Sequence, residues 1–141
     1  MTDSSLLQPA EAPRFDLTPS GYVDRVDLTV SSDHLGSTSI VSASGEIDLS
    51  TAETFKTALD EAMASGAREV IVDLGQVTFL DSTGIGVLAG TLRSRSERSV
   101  GLVVSGGPVE KVLMLTGMDR VFPMYQSQED AIADLVGPAK T

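Results

Sequence analysis

The segment best suited to chemistry is Asp81-Ser82-Thr83-Gly84, which joins an apolar stretch to a predicted helix. A hydroxyl at a helix start meets free backbone amides and the positive end of the helix dipole, and both favour negative charge. Phosphorylation of Ser82 would add a charge of about -1.5 to -2 beside Asp81 and would repel a docked partner. The same segment also suits a structural role, in which Asp81 or Ser82 caps the helix and Gly84 and Gly86 allow tight packing.

Two enzymatic interpretations of this segment are weaker. The spacing of Gly84, Gly86 and Gly90 resembles a dinucleotide-binding turn, but these glycines fall inside the predicted helix. The following apolar strand also ends without the acidic residue that would bind a ribose hydroxyl. A serine hydrolase needs a base, and the sole histidine, His34, falls in a predicted hairpin loop. The sequence therefore predicts no enzyme, and nucleotide binding ranks as the third hypothesis.

The composition of the chain excludes further classes of function. The 141 residues carry 20 acidic and 10 basic side chains, a net charge of -10, which disfavours binding to nucleic acid or anionic membranes. Without cysteine there is no disulfide, thiol nucleophile or thiolate metal site, and we predict neither a cofactor nor a metal. The chain start lacks a signal-peptide pattern and no apolar run reaches the ~18 residues of a membrane span. We predict a soluble, cytoplasmic protein.

The elements that position this segment begin after a proline-containing stretch without apolar periodicity. Residues 1–24 are predicted to form a mobile extension, and residues 25–137 a single folded domain. Apolar residues alternate at Val26, Leu28 and Val30, and residues 38–47 are also extended in character, which together predict a β-hairpin.

Alternating helices and strands follow the hairpin. Ser50 and Glu53 match a capping box, which predicts a helix over 51–65, and the apolar run 70–74 predicts a buried parallel strand with 75–80 as the lead into Asp81. Three arginines close the second helix and would complement its C-terminal dipole: Arg93, Arg95 and Arg98. The remaining predicted elements are a strand at 101–104, a helix from Pro108 to Gly117, a strand at 121–125 and a helix capped by Ser127. The fold class is therefore α/β, a sandwich with a mostly parallel mixed sheet and about four helices.

Three segments, in order, resemble the STAS domain, and within it the stand-alone bacterial anti-sigma-factor antagonists. The run from Phe79 to Leu88 is similar to the family's phosphorylation-site segment, and Ser82 aligns with its phosphoacceptor. Gly45-Glu46-Ile47-Asp48 with Thr51-Ala52-Glu53 matches the neighbouring strand end and helix start, where Asp48 corresponds to an acidic residue implicated in kinase recognition. The stretch from Leu115 to Phe122 resembles the family's ending. The likeness spans about Val26 to Val136.

The resemblance implies partner switching. An unphosphorylated antagonist would bind an anti-sigma factor that is also a serine kinase of the GHKL type, and so release a sigma factor. Phosphorylation of Ser82 would end that binding and a PP2C-type phosphatase would restore it. The expected partner-binding residues are Asp48, Asp81, Ser82, Thr83 and Gly84. The alternative hypothesis is a non-switching STAS interaction subunit, a scaffold component or a transporter accessory, in which Ser82 is merely a helix cap.

Overall fold

The computed structural model describes residues 27–92 and 98–137, and the predicted extension at 1–24 lies outside this range, as do Arg93 and Arg95. The described residues form a five-stranded sheet in the order β1-β2-β3-β4-β5 with four α-helices. The strands are β1 Leu28–Leu35, β2 Thr38–Ile47, β3 Glu69–Leu80, β4 Ser99–Val103 and β5 Met124–Tyr125. The helices are α1 Ala52–Ala64, α2 Ser82–Leu92, α3 Gly107–Leu115 and α4 Gln128–Leu135, with a 3-10 turn at Met118–Arg120.

The strand pairing confirms the predicted fold class. β1 and β2 form an antiparallel hairpin, and the other neighbouring strands are parallel. Successive residues of each strand point to opposite sides of the sheet. Val41, Val72 and Leu102 therefore face a large core with α1, α2 and α3, whereas their neighbours Ile40, Ile71 and Val103 pack on α4. The helix and strand layers thus form a sandwich with three helices on one face and one on the other.

Strand β3 is longer than the sequence pattern predicts. The apolar run at 70–74 is its first half, but the strand continues to Leu80 because β2 supplies a hydrogen-bonding partner for the second half. The register of β2 against β3 shifts between Ser42 and Ser44 and again between Gly45 and Glu46. Beyond Asp73, β3 has no ladder partner on its β4 side in the described residues, since the β3–β4 pairing ends at Val103.

Gly45 is one position where the fold requires glycine. Its φ is 121°, and a Cβ placed there would collide with the backbone carbonyl of Asp27. That carbonyl accepts a hydrogen bond from the amide of Glu46 at 2.9 Å, so the chain before β1 lies directly against the irregular end of β2. A side chain at position 45 would be strained by both the backbone conformation and this close approach.

Candidate functional site

The site lies where β2 and β3 end side by side. Ile47 and Leu80 are paired in the parallel register, and the amide of Asp81 donates to the carbonyl of Ile47 at 3.2 Å. Parallel strands run about 4.8 Å apart, so the residues that follow this pair share one edge of the sheet. The structure therefore brings Asp48 to the same edge as the start of α2, although the two segments are more than thirty residues apart in the sequence.

Asp81 is the residue that caps α2. Its Oδ1 accepts hydrogen bonds from the amides of Thr83 at 2.9 Å and Gly84 at 3.2 Å, and its carbonyl accepts from the amide of Ile85 at 3.1 Å. Free amides at a helix start need such acceptors, and a carboxylate there also interacts favourably with the helix dipole. Of the two capping residues that the sequence allowed, the structure selects Asp81 and leaves the Ser82 hydroxyl without that task.

Ser82 is the first residue of α2 and is exposed. Its hydroxyl makes no hydrogen bond to another described residue. Thr83, the next residue, is half-buried, and its side chain lines a groove of about 440 Å³ between α1 and α2 with Lys56 and Asp60. The Thr83 amide donates to the capping carboxylate of Asp81, so Thr83 is not itself the capping residue. The Ser82 oxygen thus lies on the surface, whereas the Thr83 side chain lies in the groove.

Gly84 holds α2 against the strand ends. It is buried, and a Cβ at this position would collide with the Leu80 side chain and approach Ile47 Cγ2 to 2.7 Å. The helix start can therefore lie close to the Ile47–Leu80 pair only because residue 84 has no side chain. This contact makes Gly84 a positioning residue for the exposed Ser82, two residues before it.

Asp48 organises the turn between β2 and α1. Its Oδ1 accepts from the Ser50 hydroxyl at 2.8 Å, the Ser50 amide at 3.0 Å and the Thr51 amide at 3.3 Å. The Thr51 hydroxyl accepts from the Asp48 amide at 3.0 Å and donates to the Glu46 carbonyl at 2.8 Å. The hydrogen bond from the Ser50 hydroxyl has the largest effect and lowers the pKa of Asp48. Desolvation, the next largest effect, opposes it, and the Ser50 and Thr51 amides and the Thr51 hydroxyl lower the pKa further. The carboxylate thus stays ionised and fixes the turn.

This turn corrects the predicted capping box. The Ser50 hydroxyl donates to Asp48 instead of accepting from α1, and the helix begins after Thr51, whose side chain makes no capping bond to it. The physical reason is competition for the serine, since a carboxylate is a strong acceptor for a nearby hydroxyl. The predicted helix over 51–65 is otherwise confirmed, at Ala52–Ala64.

The structure also locates His34, the candidate base of the serine hydrolase hypothesis. His34 belongs to β1 and pairs with Ser39, eight residues before Ile47 on β2, which places it about 26 Å from the site along the strand. It lies in a strand and not in the predicted loop, because the hairpin turn is only two residues long.

Arg98 donates to the Ala67 carbonyl at 3.0 Å, beyond the end of α1, and not to the end of α2 as predicted.

Two large apolar side chains at this edge escaped the sequence reasoning. Leu49, in the turn after Asp48, is 80% exposed, and Phe79, next to the last residue of β3, is 49% exposed. Neither belongs to a core cluster or packs against one. The available signal was the position of Leu49 between polar turn residues, where no helix or strand periodicity calls for an apolar residue.

The described part of the chain holds no cluster of three or more histidine, cysteine, aspartate or glutamate residues that could bind a metal ion. Within the same residues, no helix has the length and hydropathy needed to cross a bilayer.

The fold and the site together describe an α/β binding module whose exposed serine stands at a capped helix start. The family model of the STAS domain matches residues 29–131, and the chain belongs to that family. It is 32% identical over 115 residues to the anti-sigma-F factor antagonist RsfB of Mycobacterium tuberculosis, covering 81% of this chain and 93% of that protein.

Other relatives agree with this assignment. An anti-sigma F factor antagonist of Paenibacillus polymyxa is 26% identical over 113 residues, which cover 78% of this chain and 97% of the relative. The crystal structure of an anti-sigma factor antagonist from Mycobacterium paratuberculosis superposes with a TM-score of 0.75 at 32% identity, covering 78% of this chain and 95% of the other. The chain is therefore similar to these proteins over nearly their whole length.

Proposed function

We propose that this protein is an anti-sigma-factor antagonist whose binding to an anti-sigma factor is ended by phosphorylation of Ser82. The observation that carries the proposal is the exposed, unpartnered Ser82 hydroxyl on a helix start whose cap is already supplied by Asp81. The similarity to proteins named anti-sigma-factor antagonists over most of the chain supports the same role. In this role the protein is a substrate and a ligand, not a catalyst, and it acts in the cytoplasm.

The anti-sigma factor in this scheme is also a GHKL-type serine kinase. The Ser82 oxygen attacks the γ-phosphorus of the ATP held by that kinase, the bond to the β-phosphate breaks, ADP leaves, and the hydroxyl proton passes to a base of the kinase. A PP2C-type phosphatase reverses the change by hydrolysis and releases inorganic phosphate. The chain contributes a fixed hydroxyl, because Gly84 and Asp81 anchor the helix start on both sides of it.

Charge explains why the phosphate would end binding. The new group carries about -1.5 to -2 charges and lies on the edge that already holds the carboxylates of Asp48 and Asp81. The amides of Thr83 and Gly84 are occupied by Asp81, so they are not free to neutralise it. A partner surface matched to the unmodified edge would therefore face an unpaired charge and added bulk.

The direct test is phosphorylation by the cognate kinase. The purified chain is incubated with a GHKL-type anti-sigma factor of the same genome and ATP, and modified peptides are mapped by mass spectrometry. We expect one phosphate on Ser82 and none on the Ser82→Ala variant. Modification at Thr83 alone, or at no residue, would contradict the proposal.

Binding measurements test the switch itself. We expect Ser82→Ala to bind the anti-sigma factor like the unmodified chain and Ser82→Asp to bind at least tenfold more weakly, measured by calorimetry. Ser31→Asp, at an exposed position of β1, is the matched control for an added charge away from the edge. Equal affinities for all these variants would exclude an electrostatic switch at Ser82.

The capping geometry favours one other function, a STAS interaction subunit that does not switch. Asp81 completes the helix start without any phosphate, so the motif is also satisfied as a purely structural one. Affinity capture from cells distinguishes the two functions. Recovery of scaffold or transporter proteins with no kinase would favour the non-switching subunit, and recovery of an anti-sigma kinase would favour the switch.

A further inference from the structure

We propose that this protein forms a symmetric dimer through the outward side of α3, with the two copies of the helix antiparallel and in contact. We call this surface the α3 face, and it consists of Gly106, Gly107, Glu110, Lys111, Met114 and Leu115. The inference goes beyond the proposed function and does not rest on it, because it concerns a different surface from the one that carries Ser82.

Helix α3 has a buried side and an open side. Val109 and Leu113 are buried in the large core, and their spacing of four residues places them on one side of the helix. The α3 face follows on the other side and lines a groove of about 420 Å³. Leu115 is 79% exposed and Met114 is 52% exposed, and neither belongs to a core cluster. One end of the groove is therefore apolar and projects outward.

The other end of the groove carries no side chains. Gly106 and Gly107 have φ angles of 84° and 79°, which favour glycine, and nothing lies within 4 Å of a Cβ built on either residue. Position 115 lies about 12 Å from position 107 along the helix, at about 1.5 Å per residue. An antiparallel second copy therefore places the apolar end of each groove at the open end of the other.

The middle of the α3 face carries one charge of each sign. Glu110 and Lys111 are adjacent, and neither forms an ion pair with another described residue. If the two-fold axis passes between positions 110 and 111, Glu110 of each copy lies opposite Lys111 of the other. The same register places Met114 and Leu115 opposite the two glycines. The α3 face is thus complementary to itself in charge and in shape, as a contact between identical surfaces requires.

The distribution of charge along the chain favours a second copy as the occupant. The net charge of -10 makes two copies repel each other over most of their surfaces. Residues 99–128 are an exception, because their two acidic side chains are balanced by two basic ones: Glu110 and Asp119, Lys111 and Arg120. Two copies can therefore approach each other through α3 with little repulsion, whereas a basic partner would be drawn to the acidic surfaces.

The α3 face lies apart from Ser82. Strand β4 pairs with β3 as far as Asp73, and α3 begins at Gly107, shortly after β4 ends at Val103. Strand β3 continues from position 74 to 80, about 23 Å further, before α2 begins. A contact through α3 therefore leaves Ser82 exposed, and a dimer presents two copies of this serine.

The test is sedimentation equilibrium of the full chain at concentrations up to about 1 mM. We expect the average mass to rise from the monomer value of 14.8 kDa toward twice that value. We expect a dissociation constant of about 0.1 mM, because two short helices bury less area than a standard interface. Leu115→Ala should weaken the dimer at least tenfold, since the change occurs twice in the contact. Leu49→Ala removes an equally exposed leucine elsewhere and should stay within twofold, as should Ser82→Asp.

Charge reversal provides the sharper test. Glu110→Lys and Lys111→Glu each place like charges across the two-fold axis, so each variant alone should self-associate at least tenfold more weakly. An equimolar mixture of the two variants should form a heterodimer as tight as the unmodified dimer, because the opposed charges then differ in sign. Glu129→Lys, an exposed position of α4 on the other side of the sheet, is the control for the same change in net charge and should dimerise normally.

A chain that stays monomeric at about 1 mM overturns the proposal. A dimer that tolerates Leu115→Ala and both charge reversals would also overturn it, as would a mixture of the two reversed variants that fails to associate while each retains its thermal stability. None of these outcomes bears on the switch at Ser82, which is tested by phosphorylation and by binding of the anti-sigma factor.

Discussion

Two aspartates of the same edge perform different tasks because their local donors differ. Asp81 receives the amides of Thr83 and Gly84 and so fixes a helix start, whereas Asp48 receives a hydroxyl and two amides and so fixes a turn. The carboxylates of these two aspartates fix the backbone on which Ser82 and Leu49 are exposed.

The Asp48 turn predicts a measurable acid titration. Its pKa is lowered chiefly by the Ser50 hydroxyl, so its contribution to stability is complete above its ordinary value of 3.8 and is lost as the pH falls through the lower folded value. We expect Ser50→Ala to raise the pKa of Asp48 toward 3.8, measured by carboxyl NMR titration. Ser31→Ala serves as the control, and an unchanged titration in Ser50→Ala would show that the hydroxyl is not the cause.

At the scale of elements, the start of α2 depends on one missing side chain. A Cβ at Gly84 would meet Leu80 and Ile47, whereas nothing lies within 4 Å of a Cβ built at Gly86, half a turn further on. We expect Gly84→Ala to lower the free energy of unfolding by about 1–3 kcal/mol through overpacking, and Gly86→Ala to raise it by about 0.5–1 kcal/mol through helix propensity. Chemical denaturation measures both.

The pair serves as its own control, because both changes add the same methyl group to the same helix. If the two substitutions had equal effects on stability, the close packing at Gly84 would not be what positions the helix. A loss of Ser82 phosphorylation in Gly84→Ala, with retention in Gly86→Ala, would further identify the packing as the support of the phosphoacceptor.

The helices and strands with a local sequence pattern are the elements that could be predicted. The parallel strands and the helices follow from the apolar run at 70–74 and from the 3.6-residue spacing in α1, since both are local patterns. The second half of β3 could not be predicted, because its partner is the irregular end of β2, and two register shifts are invisible in the sequence of either strand. The capping box failed for a different reason, because the carboxylate of Asp48, only two residues before Ser50, accepts the hydroxyl that the box assigns to the helix.

At the scale of the molecule, the net charge of -10 gives the acidic edge a long-range effect. Attraction between this edge and a basic partner face would accelerate association, and salt would screen it. We expect the association rate with the anti-sigma factor to fall as ionic strength rises, measured by stopped-flow fluorescence. Glu46→Gln should lower the rate at low salt more than Asp33→Asn, which removes an exposed charge near the far end of the hairpin.

An association rate that does not change with salt would contradict this steering. Equal rates for Glu46→Gln and Asp33→Asn would instead assign the attraction to the overall charge and not to the edge that holds Ser82.

The one-sided pairing of β3 has a consequence for how a modification would be felt. Within the residues that the structure describes, the backbone from position 74 to 80 pairs with β2 alone, and β2 meets it there through its register shifts. We therefore expect the hydrogen bonds at this end of the ladder to open more readily than those before Asp73. Amide hydrogen exchange would then be faster in this segment than in the 70–73 stretch. Phosphorylation of Ser82 would then change the amide exchange rates of this segment, while the free energy of global unfolding stays the same.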